Sequence, residues 1–369
     1  MTRGENDMIK SFCMPTRIVY GCGAISQLPG LLKEYGFSSA VIACGAHFKE
    51  KAGELCESST QIKDVYADIK SDPALQGVAE LAATARRCKA GCIIAIGGGS
   101  VIDTGKMASA IVNSTLDADV YFHGTDIPAN GIALIAVPTT SGTGSEMSKA
   151  AVITVNGEKK TLFSDFFQAK AALIDPELTL SLNPRTTMVT GLDAMTHALE
   201  AIWSVRHQTM SDIYAERALR YSVRNLEKAF IDGTNIEARI GMSYASMMAG
   251  IAFSQTKNAG VHACSYPLTE MLHMPHGEAC AFTLPEFIAI NSDERMESIC
   301  TEIGLRGTDE LISTVRRYQA IAGLHTRLSE FGDVDIPELA AECEKQPLMQ
   351  FNPVKMDRYK LEKLFTSLL

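Results

Sequence analysis

The chain has 369 residues, long enough for two domains, and its 46% apolar and 21% charged content is that of a globular protein. A net charge of −9, from 43 acidic and 34 basic side chains, lacks the basic field of a nucleic-acid binder. No apolar run approaches the ~20 residues needed to span a bilayer. Residues 1–7 carry charges with no hydrophobic region behind them, so a cytoplasmic protein without a secretory signal is expected.

In chain order, the spacing predicts a strand over 17–21 and a helix over 23–35, then a buried strand, Ala-Val-Ile-Ala-Cys at 40–44, ending at Gly45. After another helical segment comes a strand over 64–67, a helix over 75–89, a strand over 92–96 and a helix over 101–113. The run Ile-Ala-Leu-Ile-Ala-Val at 132–137 closes the series. Continuous apolar strands alternating with helices predict a parallel sheet covered on both faces. From about residue 185 strand-like alternation disappears and Ala-, Met-, Leu- and Glu-rich helical patterns take over, as at 210–230, 236–254 and 309–322. The expected organisation is an α/β domain over 1–183 and an all-helical domain over 184–369, divided at Asn183-Pro184-Arg185.

Two loops stand at the carboxyl ends of apolar strands, where parallel sheets bind ligands. Gly97-Gly98-Gly99-Ser100 joins a strand directly to a helix, so the backbone can approach a ligand closely and the helix start can offer N–H groups to a diphosphate. It matches neither the usual Gly-x-Gly-x-x-Gly fingerprint nor a Walker-type phosphate loop. The second loop, Pro138-Thr139-Thr140-Ser141-Gly142-Thr143-Gly144-Ser145-Glu146, sets hydroxyls and glycines where they can bond a phosphate, a ribose or a nicotinamide. Singly, each also reads as a tight turn or a Ser/Thr-rich surface loop.

In the helical half, Asp193 and His197 lie four apart and share one helical face. His262 follows, and then His273 and His276 compete as a further imidazole. One carboxylate with three imidazoles suits a divalent transition ion such as iron or zinc, whereas magnesium or calcium wants oxygen. The ten cysteines form no Cys-x-x-Cys pair and are read as reduced packing residues, with Cys264 and Cys280 close in sequence to the candidate ligands.

These pieces together resemble the iron-containing (group III, metal-dependent) alcohol dehydrogenase family, from Tyr20-Gly21-Cys22-Gly23 to Asn352-Pro353. The motifs that carry the resemblance are Gly-Gly-Gly-Ser at 97–100 with Asp103 and Lys106, the loop at 138–146, Asp175-Pro176, Gly191-Leu192-Asp193-Ala194 with His197, and Pro275-His276-Gly277. The resemblance implies a Rossmann-like dinucleotide domain followed by an all-helical metal domain, with catalysis between them. It implies Asp193, His197, His262 and His276 as ligands to Fe2+, with Zn2+ an alternative. It places the diphosphate at Gly97, Gly98, Gly99 and Ser100, with Asp103 in the same motif, and Thr139, Thr140 and Thr143 along the nucleotide. Lys159 aligns near the nicotinamide ribose, with Lys160 beside it. The implied reaction is NAD(P)-linked interconversion of an aldehyde and an alcohol by a homo-oligomer.

Where many members carry a second histidine four residues after His262, this chain has Tyr266, a poor base at neutral pH that can donate a hydrogen bond, shape the pocket, or leave proton transfer to water or the ribose. The phrases around His262 and His276 look most like the phosphonoacetaldehyde reductase (hydroxyethylphosphonate dehydrogenase) branch. Lys149 is the candidate for holding an anionic substrate group, with Arg206 more remote. Gly45 replaces the acidic residue that often contacts the adenosine ribose, so NADP(H) is permitted and NAD(H) is not excluded. Other readings are a general short-chain alcohol dehydrogenase, a dehydroquinate synthase-like sugar-phosphate cyclase, which should show a more basic pocket, and a binding protein without turnover.

Overall fold

A computed structural model of the chain describes residues 9–70 and 73–369; the charged amino-terminal stretch at 1–7 lies outside them. Strands β1 (Arg17–Tyr20), β2 (Ala40–Cys44), β3 (Ile62–Tyr66), β4 (Cys92–Gly97), β5 (Ala133–Pro138) and β8 (Ala171–Ile174) form a parallel sheet in the order β1-β8-β5-β4-β2-β3. Between β5 and β8 the chain makes an antiparallel hairpin, β6 (Ala150–Val155) and β7 (Glu158–Phe163). Helices α1 (Leu28–Glu34), α2 (Lys49–Glu57), α3 (Leu75–Arg87) and α4 (Gly99–Ile111) cover the sheet. Two apolar clusters, one around Ile93, Ala95 and Leu134 and one around Ile94, Ile96 and Ile135, lie on its opposite faces. Such two-sided burial is why β2 and β4 read as unbroken apolar runs.

The expected α/β architecture is present, with local differences. The helix predicted over 23–35 is a 3-10 turn, Ala24–Gln27, followed by α1. The sheet does not end at β5: β8 inserts between β5 and β1. β8 is only four residues, Ala-Ala-Leu-Ile, and alanine is a weak strand former, so its sequence is a poor signal. The hairpin had a signal that went unused. Asn156-Gly157 carries φ of 54° and 87°, the turn with two left-handed residues that Asn-Gly favours.

Beyond β8 the chain is helical. α5 (Pro184–Trp203) starts where Asn183 accepts from the Thr186 N–H at 2.8 Å and Pro184 opens the first turn. α6 (Thr209–Ile231), α7 (Ile236–Thr256), α8 (Gly260–Leu272), α9 (His276–Ile290), α10 (Glu294–Ile303), α11 (Thr308–Ile321), α12 (Ile336–Lys345) and α13 (Arg358–Thr366) follow. One large apolar cluster runs from Met188 to Leu368. A smaller one, Met147, Ala172, Ile174, Met247 and Ile251, joins the sheet half to α7. None of the described helices is long and apolar enough to cross a membrane.

This topology positions two sites. Connections run outward in one direction from β2 to β3 and in the other from β4 to β5 and β8, so the strand order reverses between β2 and β4. The carboxyl ends of strands at such a reversal are where open α/β sheets take ligands. Gly45 and the Gly97–Ser100 turn lie there. The helical bundle then brings α5, α8 and the start of α9 to the same edge.

Candidate functional site

A cavity of about 560 Å³ lies between the two halves, within the size range of cofactor and substrate clefts. Gly99, Ser100, Thr143 and the hairpin line one side; Asp193, His197, His262, Tyr266 and His276 line the other. The two glycine-rich loops touch each other here. A Cβ on Gly99 would stand 2.8 Å from the Thr143 methyl, and the Thr139 N–H donates to the Gly97 carbonyl at 3.0 Å.

Asp193 and His197 stand one turn apart on α5, His262 lies in the first turn of α8, and His276 is the first residue of α9. Asp193 Oδ1 is 3.6 Å from His197 Nε2 and 3.5 Å from His262 Nε2. The His197 and His262 rings are stacked at 4.4 Å, and His276 is 5.5 Å from His262. Both Asp193 Oδ1 and His262 Nε2 are buried with no hydrogen-bond partner. Leaving two such atoms unmatched is costly, and a cation between them resolves it. Burial pushes the His197 imidazole down to about 4, which keeps its ring neutral. Burial would raise the Asp193 carboxyl, but His197, His262 and His276 outweigh it and hold the group well below the usual range. The donor set therefore fits a divalent transition ion. His273 is not part of the cluster: it is exposed and caps α8 in the left-handed conformation, with φ of 55°.

Two residues of this centre, Glu200 and Phe253, escaped the sequence reading, and a third, Cys280, was read only as a packing residue near the ligands in sequence. Glu200 is fully buried and accepts from His262 Nδ1 at 2.7 Å and from the Val261 and His262 N–H groups at 2.7 and 3.1 Å. The carboxylate thereby holds the proton on Nδ1 and leaves Nε2 free to ligate. Its signal was spacing, seven residues after Asp193 on the same helix. Cys280 Sγ lies 3.9 Å from His276 Nε2, and the thiol groups with Asp193, His262 and His276 as a donor set. Burial raises that thiol, yet His262 and His276 overcome the effect and bring it to about 7. Phe253 stacks on His197 at 4.3 Å and closes the far side of the ring.

The remaining candidates divide. Gly99, Ser100, Asp103, Thr143, Lys149, Lys159 and Tyr266 line the cavity, whereas Gly45, Gly97, Gly98, Thr139 and Thr140 lie outside its wall. Asp103, at the cavity wall, is also engaged within the protein. Its oxygens accept from Ser145 Oγ at 2.5 Å and the Val152 N–H at 3.0 Å, and the buried Lys106 ammonium stands 3.4 Å away. Lys106 in turn donates to Ser145 Oγ, Ser148 Oγ and the Ala150 carbonyl. The pair braces the second loop against the hairpin. Lys149 pairs with the exposed Asp165 at 2.6 Å. Lys160 pairs with Glu158, and Arg206, which packs over Phe351, is not among the residues that line the cavity. Tyr266 lies flat against His276 at 6.0 Å, and burial raises its phenol above the ordinary value.

A strand-reversal cleft with a glycine-rich helix start on one wall and a carboxylate–imidazole cluster on the other defines a nucleotide- and metal-dependent oxidoreductase. Comparison with known proteins gives the family. Residues 15–176 match the iron-containing alcohol dehydrogenase family and residues 187–369 its Fe-containing C-terminal part. Long-chain-alcohol dehydrogenase 1 of Geobacillus thermodenitrificans is 33% identical over 350 residues, which are 89% of this chain and 88% of that protein. Sulfoacetaldehyde reductase of Bilophila wadsworthia is 33% identical over 302 residues, 79% of this chain and 78% of its own. The crystal structure of sulfoacetaldehyde reductase from Bifidobacterium kashiwanohense in complex with NAD+ superposes with a TM-score of 0.94 at 31% identity, covering 98% of this chain and 99% of that one. The chain belongs to the iron-containing alcohol dehydrogenase family, and the cyclase and non-catalytic readings give way to that of an alcohol/aldehyde oxidoreductase.

Proposed function

We propose that this protein reduces a small anionic aldehyde to its primary alcohol, with phosphonoacetaldehyde, giving 2-hydroxyethylphosphonate, as the leading candidate. The observation that carries the reading is the pair of unpartnered buried ligand atoms, Asp193 Oδ1 and His262 Nε2, on the wall of a cleft that α4 opens onto. Support for an anionic substrate comes from Lys149 in the wall and from two relatives described as sulfoacetaldehyde reductases.

Asp193, His197, His262 and His276 would hold Fe2+, or Zn2+ in its place. When bound, such an ion supplies Lewis-acid polarisation of a carbonyl, and NAD(P)H supplies the hydride. The start of α4 at Gly99 and Ser100 receives the diphosphate, while Thr143 and Lys159 face the nicotinamide half. Gly45 puts no carboxylate at the end of β2, which leaves NADP(H) and NAD(H) both acceptable. Glu200 keeps the His262 lone pair turned toward Asp193. Tyr266 stays protonated at neutral pH, so it offers a hydrogen-bond donor and a flat wall rather than a base. In this reading residues 1–183 are the nucleotide domain and 184–369 the metal domain of a cytoplasmic homo-oligomer, and the apolar clusters that divide near that point support the partition.

The test is an aldehyde panel with NADH and NADPH, using protein stripped of metal and reloaded with ferrous iron or zinc. Reloaded protein should reduce phosphonoacetaldehyde with kcat/KM at least about tenfold above propanal, equivalent to ~1.4 kcal/mol of discrimination. Full turnover after rigorous chelation would remove the metal from the reading. Equal efficiency on propanal would favour a general short-chain alcohol dehydrogenase.

A further inference from the structure

Lys257 caps α7 with φ of 69° and ψ of 158°, a backbone region that glycine alone occupies without steric cost. A lysine held there carries a steric cost, which its surroundings must offset. The ammonium forms no ion pair with any described carboxylate. Instead it sits 3.8 Å from the centre of the Phe163 ring, half-buried in the cavity wall. Its charged neighbours are other cations, Lys149 and Arg206. Burial and those two cations together press its pKa below the ordinary lysine value, as expected where like charges gather. Asp165, the carboxylate paired with Lys149, is exposed.

Position adds chemistry. Lys257 follows Phe253 by one helical turn, its N–H donating to the Phe253 carbonyl at 2.8 Å, and Phe253 stacks on the candidate ligand His197. The ammonium is therefore anchored to the same helix end that backs the ligand cluster. Asn258, next in the chain, also lines the cavity, and its side-chain oxygen is buried without a partner. A rotated amide there presents its NH2 to a ligand as readily as its oxygen.

We propose that Lys257 and Asn258 form the subsite that receives the charged end, phosphonate or sulfonate, of the aldehyde. This rests on the anionic-aldehyde reading above and names the residue that enforces it. Phe163 then serves as a platform that holds the ammonium by its ring face until an anion arrives.

The discriminating variant is Lys257→Gly, which removes the charge and relieves the backbone strain together. Metal-loaded Lys257→Gly should melt at or above the wild-type temperature. Its KM for phosphonoacetaldehyde should rise at least tenfold, and the ratio of kcat/KM for phosphonoacetaldehyde to that for propanal should fall by a similar factor. Calorimetric binding of 2-hydroxyethylphosphonate should weaken by a similar factor, a readout independent of turnover. Lys257→Arg, which restores a cation, should recover part of the affinity. If wild type prefers the anionic aldehyde and Lys257→Gly keeps that preference and the phosphonate affinity, the lysine assignment falls while the substrate class stands. If wild type treats both aldehydes alike and binds no phosphonate, the substrate class and the subsite fall together.

Discussion

At His262 the position of one proton decides whether the ring faces the cluster as a donor or as a ligand. Glu200 makes that decision from the opposite side of the ring, and it also pins the first turn of α8 through two backbone N–H groups. Glu200→Gln keeps the shape but weakens the acceptor, and the amide can turn its NH2 toward Nδ1. Metal affinity should drop roughly 10- to 100-fold, as for other carboxylates that orient a metal-binding histidine. Competition against a chromophoric chelator reads the change directly, and unaltered affinity would reduce Glu200 to a helix brace. The pairing of Asp193 with His197 was legible in the sequence because the helical repeat alone aligns residues four apart. Glu200 was not: its partner lies 62 residues away, and only packing of α8 on α5 brings them together.

Among the elements, the contact of the second loop with α7 depends on two facing glycines. A Cβ on Gly250 would lie 2.8 Å from the Gly144 carbonyl oxygen, and one on Gly144 would meet Gly250 Cα at 2.6 Å. Backbone meets backbone there, so neither side can yield by a rotamer change. Gly250→Ala should destabilise the protein by about 1–3 kcal/mol through overpacking and push the loop that carries Thr143 off the cleft. A lower melting temperature together with a raised KM for the nicotinamide cofactor would bear this out; a raised KM for aldehyde alone would not. Glycines in the loop were visible from the start, but their partner on α7 was not, since Gly250 sits inside an ordinary helical pattern. The hairpin was overlooked for a different reason. Its Asn-Gly turn is a local signal, whereas Lys159, Lys160 and Glu158 in β7 mask the strand alternation.

On the scale of the whole molecule, the seam between sheet and helices holds a buried acid. Glu146 ends the second loop and lines a small void with Ser243 and Ser246 of α7. Burial raises its carboxyl from 4.5 to about 7, Lys106 pulling the other way and Asp103 adding to the rise. Since the folded value exceeds the unfolded one, the neutral carboxyl is at home in the seam. Its contribution is complete below about pH 4.5 and declines as pH climbs through 7, because the unfolded chain gives up its proton more readily. Glu146→Gln removes this titration. Thermal melts at pH 5 and pH 8 should show the variant gaining several degrees on wild type at the higher pH, and a pH-independent difference would mean that Glu146 stays ionised beside Lys106.

Local patterns in the chain determined the alternation of strands and helices, the glycine-rich turns after β4 and β5, the start of α5 at Asn183-Pro184 and the Asp193/His197 face. Each is set within a few residues by backbone periodicity, capping and the conformational range of glycine and proline. The tertiary structure alone decided that Asp103 and Lys106 brace a loop, that Glu200 and Cys280 stand behind the histidine cluster, and that Lys257 lines the cleft. Those outcomes depend on how α5, α7, α8, α9 and the hairpin pack together. The contacts join residues far apart in sequence, so no repeat within any one segment can encode them.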